Sequence, residues 1–234
     1  MKGYVITIRE NNTSEGAAHR CIKSWNKHVD NTNLKYPIEK WNACTRDDVN
    51  LLCSLLKLNW NYPWEGQVND FKSGLTKTAY PTKVRESRMA CAVSHYQVWS
   101  QCAQLKEPYI VMEHDCEWIQ SFDPEIVLNS KYDIVGLNSP FRATRRPQLF
   151  HDETQKQDGD IVAVPQIDDL KIPQGLAGNS CYYINPKGAR KLLNAVKDYG
   201  LWPNDAIMCK QLISGMGVTK EYYSRVQGTR STTT

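Results

Sequence analysis

The chain has 234 residues, of which 41% are hydrophobic, and a formal net charge of +4; its mean hydropathy is −0.56. This length suits one α/β domain, and this composition excludes collagen-like, disordered and small disulfide-framework proteins. No apolar run approaches the roughly 18 residues that a membrane-spanning helix needs. We therefore expect a single domain over residues 1–228 and a disordered tail over residues 229–234.

The eight cysteines include no Cys-x-x-Cys pair, so the sequence predicts neither a zinc ribbon nor a thioredoxin-type redox pair. Most of them lie among apolar residues, as buried thiols do. The opening segment, residues 1–9, is too short and too soon charged for a secretory signal. We therefore expect reduced thiols in a cytoplasmic protein.

The first half of the chain predicts alternating strands and helices. Tyr4–Ile8 is an apolar, β-branched run typical of a strand, and Ser14 is the expected N-cap of the helix that follows. Thr45–Asp48 resembles a capping box and predicts a second helix after it. Residues 57–85 are rich in aromatic residues without a period, which favours a functional or mobile loop. A third helix, buried on more than one side, is expected over residues 86–105.

The second half of the chain continues this alternation. Tyr109–Met112 is continuously apolar, which predicts a central strand that is covered on both faces. Strands are also expected over Asp133–Leu137 and Ala177–Ile184, and Pro186 suits the first turn of the next helix. A last helix is expected over residues 205–213. The whole pattern predicts an α/β fold with a mostly parallel sheet flanked by helices.

Two carboxylates, Glu113 and Asp115, follow directly on the central strand. Ligands of open α/β sheets bind beyond the carboxyl ends of the strands, and two acids placed there can converge on one hard divalent cation. The alternative is a polar strand end whose acids cap a turn. A zinc site at His114 and Cys116 is disfavoured because no second ligand pair lies near. Dinucleotide-binding and P-loop fingerprints are absent.

The segments around these acids resemble glycosyltransferase family 25. Ala90–Trp99 is similar to the family's Gly-Cys-x-x-Ser-His-x-x-x-Trp motif, and Pro108–Cys116 is similar to its apolar strand ending in Glu-Asp-Asp, with His114 in place of the middle acid. Ala177–Leu193 is similar to the family's small-residue strand and its Lys-Gly-Ala helix, and Trp202–Asp205 matches its Pro-x-Asp. The opening strand also resembles the family's first strand, and these blocks occur in the family's order.

The resemblance implies a GT-A-like, Rossmann-type fold and a transferase that uses a nucleotide sugar, with a UDP-sugar as the expected donor. It implies a manganese or magnesium ion held by Asp115 and Glu113, and direct displacement at the anomeric carbon with inversion. Asp205 is the implied base for the acceptor hydroxyl. The alternative for Asp205 is that it only caps its helix.

Several other side chains are expected near the donor. Thr7 and Arg9 end the first strand, where they can contact the base, ribose or phosphates of the donor, and Ser94 lies on the third helix. Asn138 and Asn179 follow later strands, so that they either contact sugar hydroxyls or are turn residues.

His95 shares a helical stripe with apolar residues, so we expect a buried histidine that orients the acidic strand end. The aromatic residues of the long loop either stack on a sugar ring, close as a lid or pack in the core; they are Trp60, Tyr62, Trp64 and Tyr80.

The main alternatives for the function differ in the acceptor of the sugar. A saccharide is the acceptor that the resemblance implies. A set of basic residues would instead suit a DNA backbone, and the protein would then glycosylate hydroxylated bases of DNA; these residues are Arg142, Arg145, Arg146, Lys220, Arg225 and Arg230. A non-catalytic nucleotide- or sugar-binding module and a metal-dependent phosphoesterase are the remaining alternatives. The sequence does not indicate an oligomeric state.

Overall fold

The structure is a computed structural model that describes residues 1–29 and 35–228. The predicted disordered tail, residues 229–234, lies outside the described residues. The strands are β1 (Lys2–Thr7), β2 (Ile38–Asn42), β3 (Gln67–Asp70), β4 (Leu75–Thr78), β5 (Tyr109–Glu113), β6 (Cys116–Trp118), β7 (Ile134–Gly136), β8 (Ile161–Ala163), β9 (Cys181–Ile184), β10 (Met216–Thr219) and β11 (Ser224–Val226). The helices are α1 (Asn12–His28), α2 (Val49–Leu55), α3 (Arg85–Leu105), α4 (Glu125–Leu128), α5 (Pro147–Gln155), α6 (Pro186–Tyr199) and α7 (Asn204–Ile207).

Seven strands form one central sheet in the order β2-β1-β5-β9-β7-β10-β8. β1 pairs in parallel with β2 and β5, and β7 pairs in parallel with β10. β9 runs antiparallel between β5 and β7, and β8 runs antiparallel at the edge. The predicted α/β fold class, with a mostly parallel sheet flanked by helices, is thus confirmed.

The two faces of the sheet bury separate apolar clusters. Tyr109 and Val111 of β5 pack into the cluster that includes α3 and α6, whereas Ile110 and Met112 pack into the cluster that includes α1. Successive side chains of a strand point to opposite faces, so a strand covered on both sides needs apolar residues at every position. Strand β5 is therefore covered on both faces, as its continuous apolar run predicts.

The helix starts agree with the sequence in one case and differ in another. Asn185 caps α6 and Pro186 takes its first position, as expected. Helix α1 is capped by Asn11, whose side-chain oxygen accepts from the backbone N–H of Ser14 at 3.0 Å. The Ser14 hydroxyl instead accepts from the N–H of Ile8 at 2.9 Å. The prediction of Ser14 as N-cap is wrong, because this buried serine ties the end of β1 to the helix.

Three other elements differ in extent from the expectations. Residues 57–85 contain the β3–β4 hairpin, whose first strand is largely exposed and so lacks an apolar period. Strand β9 begins at Cys181 rather than Ala177. Helix α7 ends at Ile207, and Pro203 rather than Asp205 takes its N-cap position.

All eight cysteines are free thiols, as expected. In the part of the chain that the structure describes, no helix combines the length and the apolar character needed to cross a bilayer.

Candidate active site

A cavity of about 800 Å³ opens beyond the ends of β1 and β5. Both strands run in the same direction, so their carboxyl ends meet at one edge of the sheet, where ligands of such sheets bind. The N-terminal half of α3 and the first turn of α7 complete the walls. The charged residues that line the cavity are Arg9, Glu10, Arg46, Asp47, Arg88, Glu113, Asp115, Arg142 and Asp205. The acids predicted at the strand end thus face an open cavity.

Glu113 is held by a hydrogen-bonded chain that runs into the protein core. His95 Nε2 lies 3.2 Å from Glu113 Oε1, and His95 Nδ1 lies 2.8 Å from the hydroxyl of Tyr182. Trp99 Nε1 donates to the same hydroxyl at 2.8 Å. If the tyrosine hydroxyl donates to Nδ1, the neutral tautomer of His95 carries its proton on Nε2 and donates it to Glu113. The buried histidine therefore lies where it orients the acidic strand end.

The same contacts set the charge of Glu113. Burial favours the neutral acid, but the hydrogen bond that His95 donates, with the electrostatic effect of His95 and His114, outweighs burial and holds the pKa of Glu113 below its ordinary value. The side-chain nitrogen of Asn204 is buried and has no partner within hydrogen-bonding distance. It nevertheless lies close enough to Glu113 to add to this lowering of the pKa. Glu113 is thus an ionised carboxylate at neutral pH.

Asp115 has the opposite environment. Its Oδ1 atom is buried and no described group donates a hydrogen bond to it. Burial, together with the charge of Glu113, raises the pKa of Asp115 to about 7. An unpaired buried acceptor is destabilising, and a bound cation would supply the missing partner. Two carboxylates, one with an unpaired oxygen, are a ligand set that suits a hard divalent cation such as Mg²⁺ or Mn²⁺.

Asp205 lies on a wall that two cavities share. It lines the 800 Å³ cavity and also a second cavity of about 380 Å³. Helix α7 carries no side-chain cap, so the alternative in which Asp205 caps this helix is wrong. Asp205 is exposed at the cavity surface, and desolvation by the surrounding protein, with the charge of Glu113, raises its pKa to about 6.

The backbone around Asp205 is fixed by a close approach. A Cβ atom on Gly175 would lie 2.1 Å from the carbonyl oxygen of Met208, at the end of α7. Gly175 and Cys209 form an antiparallel bridge, and only a residue without a Cβ atom can approach this backbone so closely. The segment before β9 thus supports the helix that carries Asp205.

Two of the four aromatic residues predicted for a stacking or lid role line the smaller cavity. The rings of Tyr62 and Tyr80 have centroids 5.9 Å apart and are roughly parallel. Trp60 and Trp64 instead stack on each other at 4.7 Å. Tyr62 is also a core residue, in line with the expectation that some of these rings pack under the loop.

The smaller cavity has two arginines with different partners. Arg146 pairs with Asp168 at 3.5 Å and donates to the carbonyl of Ile167 at 3.1 Å. Arg145 is exposed and has no ion pair within the described part of the chain. Arg145 is therefore a cationic side chain of this cavity that no described acid holds in an ion pair.

The predicted donor residues of β1 differ in position. Arg9 lines the larger cavity and its Nε donates to the side chain of Asn42. Thr7 is buried, and its hydroxyl donates to the carbonyl of Val5 at 2.9 Å. Thr7 is not among the described residues that line either cavity, whereas Arg9 is.

Ser94 lines the larger cavity, but its hydroxyl is used within the protein. It donates to the carbonyl of Ala90 at 2.7 Å and accepts from the N–H of Cys44 at 2.9 Å. Ser94 thereby connects the loop after β2 to helix α3. Its hydroxyl proton is already used in the hydrogen bond to Ala90.

Asn138 and Asn179 are buried and are not among the described residues that line either cavity. The Asn138 amide donates to the carbonyls of Ser139 and Ala177, at 3.0 and 3.1 Å, while its oxygen has no described partner. The Asn179 amide lies 3.1 Å from the sulfur of Met208. Both side chains connect segments that are distant in sequence.

Two residues of the larger cavity were missed by the sequence analysis. Cys91 lies one helical turn before His95, and its sulfur is 3.5 Å from the side-chain oxygen of Asn204. The four-residue spacing of Cys91 and His95 was visible in the sequence. Asn204 gave no separate signal, because its position beside Glu113 depends on how α7 packs against α3.

Comparison with known proteins identifies one family. Residues 57–208 match the model of glycosyltransferase family 25, described as an LPS biosynthesis protein. This segment includes α3, both acids after β5, and Asp205. A comparison with curated protein sequences returns no significant match.

Two solved structures are similar at 10% sequence identity. The galactosyltransferase LgtC, in complex with donor and acceptor sugar analogs, has a TM-score of 0.41 and is matched over 93% of this chain and 73% of its own. Mouse xyloside xylosyltransferase 1, in its apo form, has a TM-score of 0.39 and is matched over 90% of this chain and 80% of its own. Both TM-scores are below 0.5, so the assignment rests on the family match alone. That match spans more than half of the sequence, and the chain therefore belongs to glycosyltransferase family 25 and is a glycosyltransferase.

Proposed function

We propose that the protein transfers a sugar from a UDP-sugar to a hydroxyl of a saccharide acceptor, in a metal-dependent reaction that inverts the anomeric configuration. The observation that carries this proposal is that Asp205 lines both cavities. A transferase must bring two substrates to one reacting centre, and a base on a shared wall reaches both of them.

The larger cavity is the proposed donor site. Its size and its arginines suit a nucleotide diphosphate, since guanidinium groups form charge-assisted hydrogen bonds to phosphate. Glu113 and the unpaired oxygen of Asp115 would hold the divalent cation. Such an ion supplies positive charge to the diphosphate as it leaves. Arg9 and Arg142 are the proposed additional contacts of the donor, with Arg9 at the end of β1.

The smaller cavity is the proposed acceptor site. Tyr62 and Tyr80 offer ring surfaces to a sugar, and the acceptor hydroxyl would lie at the Asp205 carboxylate. With a pKa of about 6, Asp205 is ionised at neutral pH but remains basic enough to accept the hydroxyl proton. A single base and a single displacement produce inversion at the anomeric carbon.

A DNA acceptor receives no support from the arrangement of the basic residues. Arg142 and Arg145 line different cavities, and Arg146 and Arg225 each pair with a neighbouring acid. Arg230 lies outside the described residues. A phosphate backbone needs a continuous basic track, so we propose a saccharide acceptor. The family match likewise favours a transferase over a phosphoesterase or a non-catalytic module.

The test is a panel of nucleotide sugars and saccharide acceptors, assayed with Mn²⁺, with Mg²⁺ and with a chelator. We expect product formation with a UDP-sugar and a metal, loss of activity with the chelator, and an inverted anomeric configuration by NMR. Full activity in the chelator, or retention of configuration, contradicts the proposal. Duplex DNA that carries hydroxymethylated bases serves as a second acceptor, and salt-sensitive glycosylation of it would favour the DNA alternative.

A further inference from the structure

We propose that Cys91, His95 and Glu113 form a zinc site that is distinct in ligand chemistry from the proposed site of the catalytic cation. The ligand atoms of these three side chains all lie within 4.8 Å of one another, and no other such group of three is found among the described residues. All three side chains line the larger cavity. The site goes beyond the proposed function, because a transferase of this kind does not require it.

The backbone brings the three ligands close to one point. Cys91 and His95 lie four residues apart on α3, so their side chains project from the same face of the helix. Glu113 reaches the same point from the end of β5. His95 Nε2 and Glu113 Oε1 are 3.2 Å apart. Two ligand atoms about 2.0–2.1 Å from a tetrahedral zinc ion are separated by roughly 3.3 Å, so this pair already has the needed spacing.

The donor set selects the metal. One sulfur, one nitrogen and one oxygen suit zinc, whereas manganese and magnesium prefer oxygen ligands such as those of Glu113 and Asp115. Three protein ligands would leave a fourth position of the ion for a water molecule or another ligand. The side-chain oxygen of Asn204 lies 3.5 Å from Cys91 Sγ.

The outer contacts of His95 are also those of a metal-bound histidine. When Nε2 binds zinc, the proton of the neutral imidazole moves to Nδ1, which then donates to the Tyr182 hydroxyl oxygen 2.8 Å away. That oxygen also accepts from Trp99 Nε1 at 2.8 Å. Such a partner fixes the ring and strengthens the metal bond.

Binding has a defined proton balance. Burial, with the charge of Glu113, raises the pKa of the Cys91 thiol well above its ordinary value, so the metal-free thiol keeps its proton. Zinc replaces that proton, which passes to solvent, and one proton is released for each ion bound. Zinc at this site would occupy Glu113 and so compete with the catalytic cation; this inhibition, unlike the binding itself, rests on the proposed function.

The first experiment uses Co²⁺ as a spectroscopic substitute for zinc in the metal-free full-length protein, with a phosphine as reductant. We expect a thiolate-to-cobalt charge-transfer absorption that zinc abolishes. Cys91→Ser should remove this absorption, whereas Cys53→Ser, which alters a cysteine on α2 away from the cavity, should retain it. Absence of the absorption in the unmodified protein, or its persistence in Cys91→Ser, overturns the proposal.

The second experiment separates this site from the proposed catalytic one. By calorimetry, Cys91→Ser should weaken zinc binding at least ~10-fold, since even outer-shell changes weaken metal sites by ~10–100-fold. Manganese affinity should stay within about twofold. Equal loss of both metals overturns the distinct site, while cobalt absorption without any manganese binding contradicts only the proposed function. If Cys91→Ser does not fold, zinc must slow the alkylation of Cys91 in the unmodified protein, as mapped by mass spectrometry, and unchanged alkylation overturns the proposal.

Discussion

The two cavities that meet at Asp205 are built in different ways. The larger one is formed by the ends of β1 and β5, by α3 and by short loops, and its charged residues Arg88, Glu113 and Asp205 lie on helices or on a strand. The smaller one is formed mainly by the aromatic segment and by residues 143–178, much of which is loop. Loops tolerate sequence change more readily than the elements they connect. We therefore expect the proposed donor side to be the more constant part of the site among relatives, and the proposed acceptor side to be the part that varies.

The largest expected effect comes from Asp205, which belongs to both cavities. Asp205→Asn removes the base, and we expect turnover to fall by about 10²–10⁴-fold while the donor dissociation constant stays unchanged. Steady-state kinetics and donor calorimetry test this together.

The stability of Asp205→Asn provides the control. Because the pKa of Asp205 is raised in the folded protein, its ionised form destabilises the fold at pH values above about 6. The asparagine variant should therefore melt no lower than the unmodified protein at pH 7. Normal turnover in a folded variant would exclude Asp205 as the base.

A change confined to the larger cavity should act on the metal and the donor alone. Asp115→Ala removes the carboxylate whose Oδ1 has no partner, and we expect manganese affinity to fall by at least ~100-fold, with metal-dependent donor binding lost. Glu117→Ala is the matched control, since Glu117 lies two residues further on and pairs with Arg225 at 2.8 Å. Equal manganese affinities in the two variants would contradict the metal site.

The pH dependence of activity tests the proposed role of Asp205 as the base. Activity should fall tenfold for each pH unit below about 6, because protonated Asp205 cannot accept the hydroxyl proton. The charged groups that act on Asp205 are Glu113, which raises its pKa, and His95 and Arg88, which lower it. A cation on Glu113 neutralises the raising charge, so the inflection with metal should lie at or below pH 6. A flat profile of kcat between pH 5 and 8 would contradict this role.

The smallest effects should separate the two cavities. Arg142 lines the larger cavity and Arg145, three residues later, lines the smaller one. Arg142→Gln should raise the KM of the donor about tenfold, and Arg145→Gln should raise the KM of the acceptor about tenfold, each through the loss of one charge-assisted hydrogen bond. Two variants that raise the same KM would show that the cavities do not divide the substrates.

The parts of the fold that periodicity determines were predictable. Strand β5 and helices α3 and α6 follow from apolar patterns and from Pro186 at a helix start. The direction of β9 was not predictable, because an apolar run has the same pattern in a parallel and an antiparallel strand. The β3–β4 hairpin was missed because most of its residues are polar and its first strand is largely exposed.

Within the site, the sequence located the acids after β5 but not their different states. Glu113 and Asp115 are one residue apart, yet one is held ionised by His95 and the other has an unpaired oxygen. That difference depends on α3, which is distant in sequence. The place of Asp205 between two cavities likewise depends on the packing of α7 and on Gly175, neither of which has a sequence pattern of its own.

The chain of contacts from Trp99 through Tyr182 and His95 to Glu113 joins the interior of the protein to its chemistry. Trp99 and Tyr182 are buried and are not among the described residues that line either cavity. Trp99→Phe would nevertheless remove the hydrogen bond to the Tyr182 hydroxyl and so change how strongly the imidazole of His95 donates to Glu113. We expect the affinity of Glu113 for a metal ion to change with it. In a mutational screen for transferase activity, we expect substitutions at these two interior positions to lower activity as substitutions at sugar-contacting residues do. The residues that matter for activity would then include part of the hydrophobic core.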